Sequence, residues 1–383
     1  MVSPAPAPPV FKPLPADFAG SVSWIHLGDL HMTNAEEPNA VDLGRIVDAI
    51  NTLYSRSGVS FVYVPGDIAD HGSDAEYRVV RSHLDRLQLP WCGIVGDHDV
   101  HEKSFENFRT FIAKDLTSSF TVGRYRFLRL NAFALPRPDA FTVDEAQLRW
   151  IEEELRDAQK QDQRCVLLLH CYPSDLKQGG SALTELVRKY SVLLVDMGHT
   201  HYNELSNDGR VLYSATRSTG QIEEGEVGFS VVTADGSTVS WDFVPVASPE
   251  LLAITAPADH RLTVAGQEAI QSPINIHAKV WSNEPVQRVT ASLNGALSDL
   301  HQQDGVSWQG TLSLDTNESG PQRLHVQATR ASGAPLEGAI ELAAGEMTSH
   351  HYAPVDQDNA IGAWEEHGIL GTQLGPNKNG RKW

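Results

Sequence analysis

Cysteine and methionine are scarce in this chain, which has three cysteines and four methionines among 383 residues. Three cysteines cannot form a complete disulfide framework, and Cys165 lies within a strongly apolar run, where a small buried side chain is expected. This cysteine usage is typical of a reducing compartment, so we expect a cytoplasmic protein.

Long apolar runs are also missing, because no segment approaches the roughly 18 consecutive apolar residues that a membrane-spanning helix requires. The N-terminal stretch MVSPAPAPPVFKPLPADFAG has prolines where a secretory signal would need an unbroken apolar run. We therefore expect neither a membrane anchor nor a secretory signal in this sequence.

Positively charged residues are few: the chain has 30 lysines and arginines and 49 aspartates and glutamates, for a formal net charge of −19. Binding to nucleic acid normally depends on lysine and arginine displacing the counterions of the phosphate backbone. A nucleic acid polymer is therefore not an expected partner, and a small ligand is favoured.

Histidine, by contrast, is abundant, with 16 residues. Imidazole is the commonest protein ligand for transition metals, so the positions of these histidines decide whether the count matters. The hydrophobic fraction of 41% and the charged fraction of 21% are ordinary for a soluble globular protein. At about 150 residues per domain, we expect two domains with sizeable cores.

Short apolar runs alternate with helical patterns up to about residue 200, as in a sheet whose strands are connected by helices. Five runs end just before candidate ligands: 22–27 before Asp29, 59–64 before Asp67, 91–95 before Asp97, 166–169 before His170 and 192–195 before His199. Ligands bind open α/β sheets at the carboxyl ends of strands, so these side chains should surround one crevice. Hairpin patterns at 117–133 and 202–246 favour a two-sheet sandwich over a purely parallel sheet.

From about residue 249 the helical pattern gives way to β-rich runs at 251–255, 274–282, 286–294, 306–314, 322–330 and 337–343. We predict a small all-β sandwich domain there. An immunoglobulin-like arrangement would rest on strand number alone, because the cysteine pair of antibody domains is absent. The predicted organisation is a proline-rich arm at 1–20, an α/β domain at 21–248, the β-sandwich domain at 249–345 and a tail at 346–383, ordered only where another surface receives it.

Five short motifs carry the candidate metal ligands. Asp29 and His31 lie two residues apart, so both can face one ion if the backbone is extended. Asp67 follows Gly66, which permits close backbone approach, and its carboxylate could bridge two ions. The later motifs add Asp97, His98, Asp99, His170, His199 and His201. Each motif alone could be a capped turn or a surface pair, but their recurrence after successive strands favours a metal site.

This ordered set resembles the calcineurin-like metallophosphoesterases, whose pattern is D-x-H, G-D-x-x-D, G-N-H-[DE], a lone histidine and G-H-x-H. The resemblance spans about residues 21–245, and it implies an α/β fold, a two-sheet β-sandwich flanked by helices. It also implies two metal ions, Fe and/or Mn or else Zn. One ion would be held by Asp29, His31, Asp67 and His201, and the other by Asp67, Asp97, His170 and His199. The runs GDIADHG and GDHD look like the class III cyclic-nucleotide phosphodiesterase branch.

The resemblance implies a reaction in which a hydroxide bridging the two ions attacks the phosphorus of a small phosphate ester. His98, which binds no metal in the family pattern, would stabilise or protonate the leaving oxygen, and Asp99 would orient His98. A structural loop histidine is the alternative for His98. The expected substrate is a small phosphodiester, such as a cyclic nucleotide or a glycerophosphodiester. A phosphomonoesterase and a catalytically weak metal-binding scaffold protein are the competing functions.

Asp97 departs from the family pattern, which usually has asparagine at this position. With two divalent ions, one hydroxide and the carboxylates of Asp29, Asp67 and Asp97, the formal charge of the site is zero, whereas asparagine would leave it positive. A dianionic monoester would then be held less strongly. The site could therefore take a trivalent ion such as iron(III), favour monoanionic diesters, or be less active.

Other residues have ordinary explanations that compete with a functional one. His71 and His101 are either substrate contacts or exposed loop residues, and Cys171 is best interpreted as a small buried hydrophobe. The pair His350 and His351 on the tail could bind a metal, but solvated side chains are the simpler interpretation. The basic ending GPNKNGRKW is disordered, folds back or contacts a second subunit, so a homo-oligomer through the C-terminal domain or tail stays open.

Overall fold

A computed structural model describes residues 20–133, 140–221, 224–265, 267, 271–313, 321–331, 333–343 and 360–371. Its first sheet contains β1 (Val22–His26), β2 (Phe61–Val64), β3 (Trp91–Gly93), β10 (Gly228–Asp235) and β11 (Thr238–Pro245), in the order β11-β10-β1-β2-β3. Strands β1, β2 and β3 are parallel, while β10 pairs antiparallel with β1 and with β11. The carboxyl ends of three parallel strands thus meet at one edge.

The second sheet contains β4 (Ser118–Val122), β5 (Tyr125–Arg129), β6 (Arg164–Leu168), β7 (Leu194–Met197), β8 (Glu204–Asn207) and β9 (Leu212–Ala215). Its order is β4-β5-β6-β7-β9-β8, with parallel pairing from β5 to β9 and an antiparallel strand at each edge. The mixed α/β fold expected from the sequence is confirmed, including the antiparallel hairpins that accompany the parallel strands.

The two sheets pack face to face because alternate residues of each strand point into the space between them. On β2, Phe61 and Tyr63 belong to the apolar cluster between the sheets, together with Phe127 of the second sheet. Val62 and Val64 point the opposite way, into the cluster that the helices cover. All four β2 residues are fully buried, so helices must cover the outer face.

Five helices flank the sheets: α1 (Pro38–Ala49), α2 (Asp74–Leu84), α3 (Glu106–Phe111), α4 (Glu145–Lys160) and α5 (Gly180–Lys189). A capping box starts α2, because Ser73 and Glu76 exchange side-chain and backbone hydrogen bonds. Asp144 caps α4 by accepting a hydrogen bond from the backbone N–H of Gln147. Among the described residues, no helix combines the length and apolarity that crossing a membrane would take.

A buried polar link joins the two sheets below the loops that carry the candidate ligands. Asp196 on β7 lies 2.6 Å from Nδ1 of His26 and accepts hydrogen bonds from Trp24 Nε1 at 2.8 Å and from Ser214 Oγ at 2.6 Å. Leaving any of these buried groups without a partner would be costly. The link therefore fixes how β1 sits against β7, and hence how the loops after these strands face each other.

Residues 251–343 form an all-β region whose strands are β12 (Leu251–Ala256), β13 (Ile274–Trp281), β14 (Val286–Leu293), β15 (Ala296–Gln302), β16 (Ser307–Leu312), β17 (Pro321–Arg330) and β18 (Leu336–Ala343). The order is β12-β13-β16-β15-β14-β17-β18, around an apolar core of its own. The region packs on the α/β part through Trp281, whose ring lies 5.3 Å from that of Tyr54. The all-β prediction is confirmed, although β15 was not among the predicted runs, and the boundary at 248/249 stays a prediction.

Part of the predicted tail is packed against the α/β region. Residues 360–371, named here the C-terminal segment, pair with the edge strand β8, because Ile361 N–H donates to the Leu205 carbonyl at 2.9 Å. Trp364 and Ile369 are buried in the apolar cluster between the sheets. His350, His351 and the GPNKNGRKW ending lie outside the described residues.

Candidate metal centre

The fold brings the seven predicted ligands together in loops that follow five strands. Asp29 and His31 follow β1, Asp67 follows β2, Asp97 follows β3, His170 follows β6, and His199 and His201 follow β7. The carboxyl ends of parallel strands lie at the same end of a sheet, and the packing of the two sheets places these two ends side by side. The site therefore spans the end of the sandwich, with ligands from both sheets.

The ligand atoms fall into two groups that share Asp67. Asp29, His31, Asp67 and His201 form the first group, and Asp67, Asp97, His170 and His199 form the second, with the atoms of each group within 4.8 Å of one another. In the first, Nε2 of His31 lies 3.0 Å from Nε2 of His201. In the second, Nε2 of His170 lies 3.4 Å from Oδ2 of Asp67 and 3.1 Å from Oδ1 of Asp97. Two ions could thus be held side by side with one carboxylate in common.

Four of the ligands have backbone conformations that non-glycine residues rarely adopt. The φ angles are +41° for His31, +46° for Asp67, +66° for His199 and +61° for His201. Such conformations cost of order 1 kcal/mol or more and persist only where the surroundings impose them. Here the carbonyl of Asp67 accepts hydrogen bonds from Leu30 N–H at 3.0 Å and His31 N–H at 2.8 Å, which ties two of these loops together.

Glycine is required where the loops approach each other most closely. Gly66 has a φ of +106°, and a Cβ at this position would lie 2.5 Å from Nδ1 of His170. A Cβ at Gly96 would lie 2.2 Å from Oδ1 of Asp67. Both distances are far below van der Waals contact, so the glycines of the two G-D motifs allow the ligands to converge.

A second layer of hydrogen bonds orients the imidazoles. Nδ1 of His170 donates to the carbonyl of Pro65 at 2.7 Å, and Nδ1 of His31 donates to Oδ1 of Asp70 at 3.1 Å. In both rings Nε2 then points into its ligand group with a lone pair, as metal-binding histidines require. Gln221 supports this arrangement by donating to Oδ1 of Asp70 at 2.8 Å.

The electrostatics of the cluster fit cations. Oδ1 of Asp29 is buried and accepts no hydrogen bond from any residue that the structure describes. Burial, opposed by His170, raises the pKa of Asp29 well above its usual range, while burial and the neighbouring His31 lower the pKa of His201 to about 3. A neutral imidazole beside carboxylates, one of whose oxygens has no hydrogen-bond partner, is a ligand set that suits manganese, iron or zinc.

His98 lies at the rim of the first ligand group, where a substrate could reach it. Its backbone N–H donates to Oδ1 of Asp67 at 2.9 Å, and Nδ1 of its ring donates to the carbonyl of Asp70 at 2.8 Å. The side chain is 37% exposed, and its ring stands edge-on to that of His31, with 4.6 Å between centroids. This geometry directs the remaining ring nitrogen, Nε2, away from the loop backbone.

Asp99 occupies a different place from the one expected. Its buried carboxylate accepts hydrogen bonds from Ala69 N–H at 3.0 Å, Gly96 N–H at 2.9 Å and the hydroxyl of Tyr77 at 2.8 Å, while Ile68 N–H contributes a fourth at 3.1 Å. The ring of His98 is oriented by the Asp70 carbonyl instead. Asp99 therefore joins the loop that carries Asp67 to the loop that carries Asp97.

Three further residues belong to the site although sequence reasoning gave them no role. Asp70 stands in the G-D-x-x-D motif, so its spacing was a usable signal, but Gln221 and Phe141 follow no motif. The ring of Phe141 lies 4.7 Å from that of His199, edge to face. Among the candidates weighed earlier, the exposed ring of His71 contacts Glu76 at 2.9 Å and Cys171 is buried.

The sequence matches a family model along this same region. Residues 23–203 match the model of the calcineurin-like phosphoesterases. A "Probable cyclic nucleotide phosphodiesterase" of Vesicomyosocius okutanii is 26% identical over 149 residues, covering 39% of this chain and 60% of the relative. A "Probable glycerophosphodiester phosphodiesterase" of Arcobacter nitrofigilis is 27% identical over 158 residues, covering 37% of this chain and 56% of the relative. The chain thus spans somewhat more than half the length of these two relatives.

A solved structure shows the same fold. A dimetal phosphatase from Danio rerio superposes with a TM-score of 0.51 at 16% identity, covering 61% of this chain and 96% of the other. At this identity the likeness establishes the fold of the two-sheet sandwich and nothing finer.

Proposed function

We propose that this chain is a hydrolase of phosphoester bonds whose two ligand groups hold two metal ions and cleave a small phosphodiester, because residues 23–203 match the model of the calcineurin-like phosphoesterases. The observation that carries the proposal is the convergence of three carboxylates and four imidazoles into two groups sharing Asp67. When bound, the two ions would lower the pKa of a water molecule and stabilise the charge that develops on the phosphoryl oxygens.

The chain itself would supply positioning and one proton. Asp67 would hold the two ions at a fixed separation, because its loop is tied to the Asp29–His31 loop and to the Asp97 loop. His98 would donate a proton from Nε2 to the leaving oxygen, since its Nδ1 is occupied by the Asp70 carbonyl. Burial opposes the charged ring of His98, but Asp67 and the Asp70 backbone raise its pKa above the usual value.

The charge of the ligand set supports a diester over a monoester. Asp29, Asp67 and Asp97 bring three negative charges, one more than a site with asparagine at position 97. A substrate with a single negative charge is repelled less by this site than a dianionic monoester. The names of the two relatives, a probable cyclic nucleotide and a probable glycerophosphodiester phosphodiesterase, favour the same class, and both substrates remain candidates.

The metals would be iron and/or manganese, with zinc as the other possibility, because mixed imidazole and carboxylate ligands suit all three. We place the protein in the cytoplasm, as its three cysteines are buried and free of disulfides. A homo-oligomer through the C-terminal domain or tail stays a prediction.

Metal analysis combined with a panel of esters tests the proposal. The purified chain should contain close to two metal ions and cleave a cyclic nucleotide or glycerophosphodiester faster than the matching monoester. Asp67→Ala should lose metal and abolish turnover, whereas Asp157→Ala, which removes an exposed carboxylate at the end of α4, should change neither.

Three results would contradict the proposal. Full metal content and turnover in Asp67→Ala would show that the shared carboxylate is not part of the centre. A fully metal-loaded wild type that cleaves no ester would leave a metal-binding scaffold, and a preference for monoesters would make the chain a phosphomonoesterase.

A further inference from the structure

The C-terminal segment reaches the back of the first ligand group. The carbonyl of Gly368 accepts hydrogen bonds from Asn203 Nδ2 at 2.9 Å and from Arg217 Nη2 at 2.5 Å. Asn203 lies two residues after the ligand His201, and Arg217 begins the loop that follows β9. Residues far apart in the sequence thus meet directly behind the candidate metal centre.

The loop after Arg217 packs on the backbone of the ligand Asp29. The carbonyl of Asp29 accepts hydrogen bonds from Ser218 Oγ at 2.9 Å and from Thr219 N–H at 2.8 Å, and Ser218 N–H donates to the carbonyl of His201 at 3.3 Å. One short loop therefore holds two ligands of the first group. In the second group, Asp97 and His170 lie on other loops, whereas His199 shares the loop of His201 and its N–H donates to Oδ2 of Asp29 at 2.7 Å.

Arg217 is the residue that connects this loop to the rest of the fold. It is only 3% exposed, its guanidinium lies 4.2 Å above the ring of Phe243, and Nη1 donates to the carbonyl of Glu226 at 3.3 Å. Its backbone N–H donates to Oδ1 of Asn203 at 2.8 Å, which joins the Arg217 loop to the His201 loop. Burying an arginine on neutral carbonyls is unfavourable unless its donors are used, so the Gly368 carbonyl is an important partner.

The C-terminal segment is itself firmly held, so it can act as an anchor. Trp364 is 5% exposed and Ile369 is 2% exposed, and their backbone groups form two hydrogen bonds at 2.8 and 3.1 Å that close a small turn. The guanidinium of Arg261 lies 3.7 Å above the Trp364 ring, and Nδ1 of His367 lies 2.8 Å from Oδ1 of Asp242. These contacts fix the position of the Gly368 carbonyl between them.

We propose that residues 360–371 position the first metal-binding group through Arg217 and Asn203, so that this C-terminal segment sets how tightly the first group binds its ion. The inference rests on the proposed two-metal function. Arg217 and Asn203 are positioning residues, because their side-chain hydrogen bonds in the described part of the chain go to backbone groups and none goes to a ligand side chain. Removing outer hydrogen bonds of this kind typically weakens metal binding about 10–100-fold.

Titration with Co²⁺ tests the inference, because the visible absorption of this ion reports each site as it fills. The full-length chain, freed of metal with a chelator, is titrated alongside His201→Ala and His170→Ala, which identify the signals of the first and second groups. Arg217→Gln should weaken the affinity of the first group about 10–100-fold. The affinity of the second group should fall by clearly less, because only His199 of that group shares these loops. A role confined to overall stability would not single out one of the two signals.

Further variants separate positioning from loss of folding. Asn203→Ser should act like Arg217→Gln in the same direction, and Arg217→Lys, which keeps one donor, should recover part of the affinity. Glu366→Gln is the matched control, because Glu366 lies in the same segment and its ion pair in the described part of the chain is with the exposed Arg323, at 2.7 Å. A thermal melt of each variant would show that titrations are made on folded protein, and Asn203→Ser replaces Arg217→Gln if the latter does not fold.

Three outcomes decide the matter. A selective loss at the first group in Arg217→Gln and Asn203→Ser, absent in Glu366→Gln, supports the inference. If folded Arg217→Gln and Asn203→Ser bind Co²⁺ at both groups as tightly as the wild type, or lose the same affinity at both, the inference is overturned. The two-metal proposal would remain intact. A wild-type chain that binds no Co²⁺ would overturn both.

Discussion

The substitution Asp99→Asn separates two roles for this carboxylate, orienting His98 or organising the ligand loops. In the structure Oδ1 accepts from Ile68 N–H, Ala69 N–H and the Tyr77 hydroxyl, and Oδ2 accepts from Gly96 N–H. An amide has one accepting oxygen, so its NH₂ group would face the Gly96 N–H, donor against donor. The loops carrying Asp67 and Asp97 would then lose a shared anchor.

The cost follows from that count of donors. Losing a hydrogen bond to a charged group costs about 1.5–3 kcal/mol, and leaving a buried N–H without an acceptor adds to it, so Asp99→Asn should destabilise the metal-free chain by roughly 3 kcal/mol. Tyr77→Phe is the graded control, because it removes one donor and keeps the carboxylate, for a loss of about 1 kcal/mol. Since Asp67 belongs to both groups, both metal affinities should fall in Asp99→Asn.

Urea unfolding of the chelator-treated proteins measures the free energies directly. Burial, together with Asp67, raises the pKa of Asp99 to about 7, so the charged carboxylate costs the wild-type fold free energy above that pH. The amide avoids this cost, so the loss in Asp99→Asn should be smaller at about pH 8.5 than at a pH below about 7, and both are measured. A free energy of unfolding within about 1 kcal/mol of the wild type, with intact metal binding and reduced turnover, would refute this reasoning and return Asp99 to a role in orienting His98.

Three further predictions follow from the same geometry. His98→Gln should lower turnover roughly 10²–10⁴-fold with metal content unchanged, and loss of metal would instead identify a ligand. Asp97→Asn should raise the ratio of kcat/KM for a monoester to that for its matching diester, since one negative charge is removed; an unchanged ratio or a shift toward the diester would contradict the charge argument. Burial opposes the charged form of His367, yet Asp242 raises its pKa above the usual value of about 6.5. The ion pair of protonated His367 with Asp242 stabilises the fold in full below about pH 6.5, and this contribution is lost as the pH rises through the raised pKa. In His367→Gln the free energy of unfolding should therefore depend less on pH in this range. Equal slopes of the free energy of unfolding against pH in variant and wild type would disprove the pairing.

The sequence was sufficient to predict that the seven candidate ligands converge, because each follows a strand in a recognisable motif. Asp67 and Asp97 could be assigned from a few neighbouring residues, and the recurrence of such motifs located the crevice. The same local character explains the predicted helices, since the cap of α4 depends on Asp144 and Gln147 alone. The all-β region was likewise evident from its alternating residues.

The remaining features depend on contacts between distant residues, which local patterns do not carry. The adjacency of Asp99 and His98 predicts an orienting contact between them, whereas three of the four partners of Asp99 lie 22 to 31 residues earlier in the chain, at Tyr77, Ala69 and Ile68. Arg217 meets Gly368 across 151 residues. The C-terminal segment has no periodic pattern in its sequence, because contacts with the α/β region hold its short turn, whereas its own residues have no strong preference for a helix or strand.

The left-handed conformations of His31, Asp67, His199 and His201 have a consequence for how this protein can change over time. At each of these positions glycine would relieve the backbone strain, while it would also delete a ligand. Selection for a more stable fold would favour glycine at these four positions, whereas selection for metal-dependent chemistry keeps the ligands. A descendant freed from the need to bind metal would be expected to drift toward glycine or asparagine there first, so the loss of these residues would record the loss of function.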